Sequence, residues 1–369
     1  MAILGAASGV SIYKTFIITT SQTFTVPYNC TASITAIGGG GAGGVGMYSN
    51  STYVGLGAGG GAGGFAQSII NVASGAQFVC SIGAGGSSAG TNTSTNGGNG
   101  GTTTASGPNL GSTLTSTGGG GGIGLKAPDS TARSAEGGAG GSGSNGNKFN
   151  STGGAGGRVH ECGLNSHPAE GGYAAGGGAV GIFGVTGTQG NGQANTIYGG
   201  SPSGAGCGGT YVPTQRGNGN PGGSTFGPVY PGGELTGNIN QAAPINSGNF
   251  GSIFPPAGRG ASLLFGGPGN GTGLFAGTNN VIGSTPPEPG GGGAGLWNAS
   301  RINFRQGGMF AGGGAVHFGN YNNTAASAGN GGDCGGGGGG AGGCVPYATL
   351  TGSTGGIGAV IIEIMSPIF

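Results

Sequence analysis

The chain has 369 residues, of which 105 are glycine, and charged residues make up only 5%, with a formal net charge of +1. Such a chain has no cluster of Lys and Arg to neutralise phosphates, so we expect no nucleic-acid partner. Its apolar runs are shorter than the roughly 20 residues that span a bilayer, and its start has no basic segment, so we expect neither membrane insertion nor a secretion signal.

The first eighty residues carry short stretches rich in Thr, Ile, Val and Phe with partial alternation, a pattern typical of half-buried strands. A turn at Pro27 and Asn29 separates the second stretch from the third. The predicted strands are residues 13–19, 23–26, 31–37, 65–72 and 77–82.

Glycine runs at 38–44, 59–64, 118–122, 290–293 and 335–343 favour a different structure. In a helix or a strand, each glycine costs roughly 0.5–1 kcal/mol relative to alanine. Polyproline II helices have three residues per turn and no internal hydrogen bonds. Glycine-only faces would let such helices approach closely enough to bond to one another, so the runs predict a bundle of polyglycine II helices with almost no α-helix.

Residues 357–365 alternate as a strand does, with Val360, Ile362 and Ile364 on one face. We expect this strand to close the N-terminal sheet. The predicted organisation is a β domain, an antiparallel sheet or sandwich, formed by residues 1–83 with 356–369. Residues 84–355 would form the glycine-rich domain with long exposed loops, and the fold class is mainly β.

Three segments resemble glycine-rich bacteriophage tail-fibre proteins: Phe24–Pro27, the strand and glycine block from Ile34 to Gly44, and the closing stretch from Gly355 to Glu363. The middle of the chain is similar to the tail-fibre-tip adhesins, whose receptor-binding domain is a sandwich of polyglycine II helices. The resemblance implies a non-enzymatic receptor-binding adhesin in the virion, assembled in the host cytoplasm. Its partners would be a bacterial surface receptor, protein or polysaccharide, and other tail-fibre or virion proteins, with a homotrimer as one possible assembly.

Catalytic and metal chemistry has little support in the sequence. Of the His, Cys and Glu types between residues 158 and 170, His160, Cys162 and His167 would suit zinc, but no fourth ligand is apparent. Glycosidases need two carboxylates in a cleft, whereas the few acids lie in expected surface loops. We therefore expect no enzyme activity, no metal and no cofactor.

Aromatic residues and arginines concentrate between the glycine runs, and Tyr, Trp and Arg are the types enriched at binding hot spots. The opposing interpretation is that these side chains fold inward and cap the glycine helices. The candidate receptor-binding residues are Trp297, Arg301, Phe304, Arg305, His317, Tyr321, Tyr211, Arg216, Tyr230, Tyr48 and Tyr53.

Two other functions remain open from the sequence. One is a structural virion protein whose loops pack against other subunits. The other is an ice-binding protein, which would need a regular array of small residues at every third position. The six cysteines fit buried apolar positions better than disulfides, because nothing in the sequence directs secretion.

Overall fold

The structure is a computed structural model, and it confirms the mainly β class. It describes residues 14–47, 53–90, 94–128, 133–161, 172–173, 191–193, 196–198, 211–212, 215–216, 296–297, 312–313, 316–318, 325–343 and 349–367. These residues form short strands connected by glycine segments and turns, and they contain no α-helix. Accordingly, a search of the same residues for a helix able to cross a membrane finds none.

The strands are short and numbered in chain order. They are β1 (Lys14–Ile18), β2 (Gln22–Thr25), β3 (Cys30–Ile37), β4 (Val45–Met47), β5 (Tyr53–Gly57), β6 (Phe65–Val72), β7 (Gln77–Ser81), β8 (Thr103–Ser106), β9 (Leu114–Ser116), β10 (Gly124–Pro128), β11 (Arg133–Ala135), β12 (Gly143–Ser144), β13 (Phe149–Ser151), β14 (Val159–Glu161), β15 (Gly172–Tyr173), β16 (Asn191–Gln193), β17 (Thr196–Tyr198), β18 (Tyr211–Val212), β19 (Gln215–Arg216), β20 (Leu296–Trp297), β21 (Val316–Phe318), β22 (Ala325–Ser327), β23 (Ala341–Gly343), β24 (Thr349–Thr351) and β25 (Ala359–Pro367).

Two five-stranded antiparallel sheets form a β-sandwich. Their strand orders are β1-β25-β3-β6-β13 and β12-β9-β8-β7-β2. Between them lies an apolar core in which Ile34 and Ile362 from the first sheet meet Phe78 and Leu114 from the second, all fully buried. Burying each of these side chains contributes about 1.5–3 kcal/mol.

The last strand, β25, lies inside the first sheet, between β1 and β3. This confirms the prediction that residues 357–365 close the N-terminal sheet. The face with Val360, Ile362 and Ile364 joins the core, as the alternation predicts. The opposite face is also buried, and it includes Ile361 and the carboxylate residue Glu363. This strand is therefore enclosed on both faces and both edges.

Between these strands, the glycine segments pack side by side through backbone hydrogen bonds. In the central glycine segment, residues 38–45, every third amide donates to the same neighbouring segment. The amides of Gly38, Gly41 and Gly44 donate to residues 58–64. Those of Gly39, Ala42 and Val45 donate to residues 95–101. Those of Gly40 and Gly43 donate to residues 353–356, where Gly43 bonds to the Ser353 hydroxyl. A period of three residues is that of the polyproline II helix.

Carbonyl groups of the central glycine segment bond to three further segments. The carbonyls of Gly39 and Ala42 accept hydrogen bonds from the amides of Gly119 and Gly122, respectively. Those of Gly41 and Gly44 accept from the amides of Gly338 and Ala341, and that of Gly40 accepts from the amide of Gly86. The central segment is thus surrounded by neighbours on all sides, three bonded to its amides and three bonded to its carbonyls. A backbone without side chains satisfies its own polar groups in this way.

The close approach in this lattice requires glycine. A Cβ added at Gly41 would overlap the backbone of Gly119 and Gly120, and one added at Gly60 would overlap that of Gly41 and Ala42. Larger side chains occur where the lattice meets solvent, at every third position of an outer segment. The exposed positions on two adjacent outer segments are Ser81, Ala84 and Ser87, and Asn96, Asn99 and Thr102.

Two of these surface side chains accept hydrogen bonds from glycine amides at the edge of the lattice, in place of the carbonyl of a further glycine segment. The Asn99 Oδ1 atom accepts a hydrogen bond from the Gly121 amide at 2.8 Å, and the Asn96 Oδ1 atom accepts one from the Gly124 amide at 3.1 Å. The spacing of three residues between the asparagines matches the spacing of the amides. Side-chain amides therefore terminate the lattice where no further segment packs.

The lattice separates two ends of the molecule. The strands β3 and β6 flank the central glycine segment and its neighbour 58–64 at the end occupied by the sandwich, which we call the near end. The strands β4 and β5 flank the same two segments at the opposite end, which we call the far end. The chain therefore crosses between the ends each time it traverses a glycine segment.

Three of the six cysteines fall within the described residues. Cys30, Cys80 and Cys334 are free thiols and fully buried, which confirms for these three the prediction of small apolar residues. Burial raises the pKa of the Cys80 thiol to about 11, so it stays protonated and unreactive at neutral pH. Cys162, Cys207 and Cys344 lie outside the described residues.

We expect Gly338→Val to destabilise the protein by more than about 2 kcal/mol, because it overfills a close-packed site. An added Cβ at this buried position would overlap Ser353 and the Thr354 carbonyl oxygen. The matched control is Ala84→Val at an exposed lattice position, where we expect little change. Thermal unfolding of both variants measures the difference, and equal melting temperatures would contradict the lattice.

The buried carboxyl of Glu363 predicts a pH-dependent stability. Burial raises the pKa of this group above its ordinary value of 4.5, although a hydrogen bond with Ser33 opposes the shift. The folded state therefore holds the proton more tightly than the unfolded state, and this contribution to stability is lost as pH rises from about 4.5 through the folded pKa.

Replacing the carboxyl by a neutral amide in Glu363→Gln removes this loss. We expect the stability of the variant relative to wild type, measured as the difference between their free energies of unfolding, to be greater at pH 8 than at pH 4. Urea unfolding at both pH values measures it. An identical difference at the two pH values would show that the carboxyl does not titrate differently on folding.

Candidate functional site

Two further sheets assemble at the far end. One, the parallel far sheet, has the strand order β20-β21-β23-β4, and the other, the mixed far sheet, has the order β10-β5-β15-β18-β19. Both sheets are continuous with the glycine lattice, because the strands β4, β5, β10 and β23 each directly precede or follow a glycine segment in the chain. The lattice thereby fixes the starting strands to which the remaining strands add.

Five of the candidate receptor-binding residues lie in these two sheets. Trp297 and His317 are direct register partners in the parallel far sheet. Tyr211 and Arg216 are register partners in the mixed far sheet, where Tyr53 lies on β5. Although these residues are separated by up to 264 positions in sequence, strand pairing brings them to one end of the molecule. The other candidates, Arg301, Phe304, Arg305, Tyr321, Tyr230 and Tyr48, lie outside the described residues.

Register extends both sets into rows across the sheets. Residues paired directly on neighbouring strands share one face of a sheet. The row in the parallel far sheet is Trp297, His317, Gly342 and Gly46. The row in the mixed far sheet is Arg216, Tyr211, Tyr173, Gly57 and Gly124.

The glycines of the two rows show that these faces are turned toward each other. A Cβ on Gly46 would overlap the backbone of Leu56 in the mixed far sheet, and one on Gly57 would overlap that of Ala341 in the parallel far sheet. The two sheets therefore approach each other closely at Gly46 and Gly57. The strands that carry the aromatic residues pair farther out in each sheet.

Tyr173 is the residue that the sequence did not single out. It follows a Gly-Gly pair and ends a segment rich in charged residues, so no periodicity or cluster marks it as a binding residue. Only its register with Tyr211 on one side and Gly57 on the other places it in the aromatic row. No sequence signal short of strand pairing would have found it.

The described residues at this end include an ion pair. Arg158 pairs with Glu136 at 3.6 Å, and both side chains are partly exposed. An ion pair of this kind contributes at most about 1 kcal/mol. Among the described residues no group of three His, Cys, Asp or Glu could hold a metal ion. Of the zinc-type residues, His160 lies on β14, while Cys162 and His167 lie outside the described residues.

Comparison with known proteins gives a family. The profile of a glycine-rich domain matches residues 18–230, which is more than half of the chain. A search of curated proteins found no significant match. The matched region contains the central glycine segment, all five strands of the mixed far sheet and every strand of the sandwich except β25 and most of β1. The chain belongs to the glycine-rich domain family.

Proposed function

We propose that this protein is a non-enzymatic adhesin of a bacteriophage tail fibre, which recognises a bacterial surface through its far end. The observation that carries the proposal is the gathering of Trp297, His317, Tyr211 and Arg216 in two paired sheets at one end of a rigid lattice. Binding residues concentrate at positions held by a rigid scaffold. The sandwich at the near end would attach the protein to other tail-fibre or virion proteins.

A rigid lattice suits this role for a physical reason. Residues that are already ordered lose little conformational entropy when they bind, so more of the contact energy appears as affinity. In the central glycine segment, backbone hydrogen bonds to neighbours on all sides, together with the bond from Gly43 to the Ser353 hydroxyl, fix the backbone. The lattice is thus an ordered support for the strands that carry the aromatic residues.

The test is binding of the labelled protein to a panel of bacteria. We compare it with a variant carrying alanine at Trp297, Arg301, Phe304 and Arg305, of which Trp297 lies in the parallel far sheet, and with the near-end control Val79→Ala, whose side chain is 55% exposed. We expect saturable binding that the four-residue variant loses and the control keeps. Absence of binding to every bacterium, together with incorporation into virions, would instead indicate a structural virion protein.

Ice binding is a second candidate because of one observation. The outer lattice segments expose small residues at every third position, namely Ser81, Ala84, Ser87, Asn99 and Thr102. Such an array is regular in the way that ice binding requires. Thermal hysteresis of the purified protein tests it, and freezing and melting at the same temperature would remove this candidate.

A further inference from the structure

On one side of the sandwich both sheets end in an unpaired strand, and we infer that a second copy of this chain pairs with the sandwich there. Within the described residues, β1 pairs with β25 alone and β2 pairs with β7 alone. The two edge strands lie on the same side, because the ring centroids of Phe16 and Phe24 are 4.8 Å apart. We call this side, formed by β1 and β2, the open side. The inference goes beyond the proposed function, and its test needs no receptor.

The opposite side of the sandwich is closed by short strands and side chains. The edge strands β12 and β13 have only two and three residues. Just before β13, the Asn147 Oδ1 atom accepts a hydrogen bond from the Ile69 amide at 3.0 Å, and its Nδ2 atom donates to the Ile69 carbonyl at 3.1 Å. Further along β6, the Asn109 side chain donates to the Asn71 carbonyl at 2.8 Å. Short edge strands and covering loops protect a sheet edge from pairing with another chain.

The open side has neither of these protections among the described residues. The strands β1 and β2 have five and four residues, contain no proline and pair without a register shift. The side chain of Ile17 is 45% exposed, and the rings of Phe16 and Phe24 are only partly buried, although they pack against the sandwich core. An unpaired edge strand offers a row of amide and carbonyl groups to another strand. The open side therefore presents backbone partners together with apolar side chains.

The residues of β1 suit pairing with β1 of a second copy. An antiparallel pair with its two-fold axis at Phe16 overlaps all five residues and keeps each side chain on its own face of the sheet. Ile17 would lie opposite Thr15 of the second copy. Lys14 is the one charged residue of β1 and β2. It would lie about 14 Å along the strand from its own copy, which exceeds the screening length of about 8 Å in physiological salt.

The same two-fold axis would join both sheets of the sandwich. Because β1 and β2 end their sheets on one side, the second copy would continue the first sheet through β1 and bring its own β2 beside the first. The partly buried rings of Phe16 and Phe24 would then lie in a core shared by two sandwiches. A net charge of +1 gives two copies little cause to repel each other. A strand of another virion protein is the alternative occupant that the experiment separates.

Sedimentation equilibrium of the full chain over a range of concentrations measures the association. We expect a reversible equilibrium between monomer and dimer, and we expect Ile17→Lys, which adds a charge to the edge, to weaken it at least about tenfold. The matched control is Val79→Lys at a 55% exposed position of β7, an interior strand of the second sheet, which should associate as wild type does. Thermal unfolding checks that both variants are folded.

Three results would overturn the inference. They are a chain that stays monomeric at every concentration, a trimer, and a folded Ile17→Lys variant that associates as strongly as wild type. The first would leave a strand of another virion protein as the occupant of the open side. None of them bears on receptor binding by the far end, so the proposed function stands or fails separately.

Cysteine cross-linking tests the register of the pair. Thr15 would lie about 5 Å from Ile17 of the second copy between Cα atoms, within disulfide reach, whereas each residue would lie roughly 7–8 Å from its own copy. Under mild oxidation, a mixture of Thr15→Cys and Ile17→Cys chains should form a cross-linked dimer, and each variant alone should form far less. Wild type is the control for the native cysteines. Dimers that never cross-link in the mixture would place the contact elsewhere and overturn the inference.

Discussion

Backbone hydrogen bonding between glycine segments, which lack side chains, is the constraint on which this structure depends. In a conventional domain, apolar side chains supply the packing and the backbone bonds along helices or ladders. Here the central glycine segment bonds outward in a cycle of three, so that successive amides donate to different neighbouring segments. The entropic cost of ordering glycine is offset because the missing Cβ allows this contact on all sides.

The same constraint governs the composition of the lattice. Where neighbours surround a segment, as along residues 335–340, every residue is glycine and buried. Where one side faces solvent, every third residue can carry a side chain, and Asn96 and Asn99 use theirs to satisfy outer amides. The glycine run at residues 335–340 is therefore an interior segment. A repeat of two glycines and one small polar residue indicates an outer segment.

The sequence predicted the near end well because alternation is a local signal. All five N-terminal strands and the closing strand appear within a few residues of their predicted positions, and β25 joins the expected sheet. The burial of Glu363 was not predicted, because alternation places it on the outer face of the strand. The proposed division of the chain into two domains stays a prediction.

The far end could be predicted only as a set of residue types. Which loops share an end depends on how many glycine segments separate them, and the row of Tyr173, Tyr211 and Arg216 depends on register between distant strands. Neither property leaves a local trace in the sequence. The lattice contributes the positions of β4, β5, β10 and β23, to which the other strands of the two far sheets add.

Amide hydrogen exchange of the central glycine segment tests the lattice most directly. The account predicts that the amides of Gly39, Gly40 and Gly41, each bonded to a different neighbouring segment, exchange only through global unfolding, as slowly as those of the buried strand β3. Exchange of these amides at the rate of an unstructured peptide, while β3 remains protected, would contradict it.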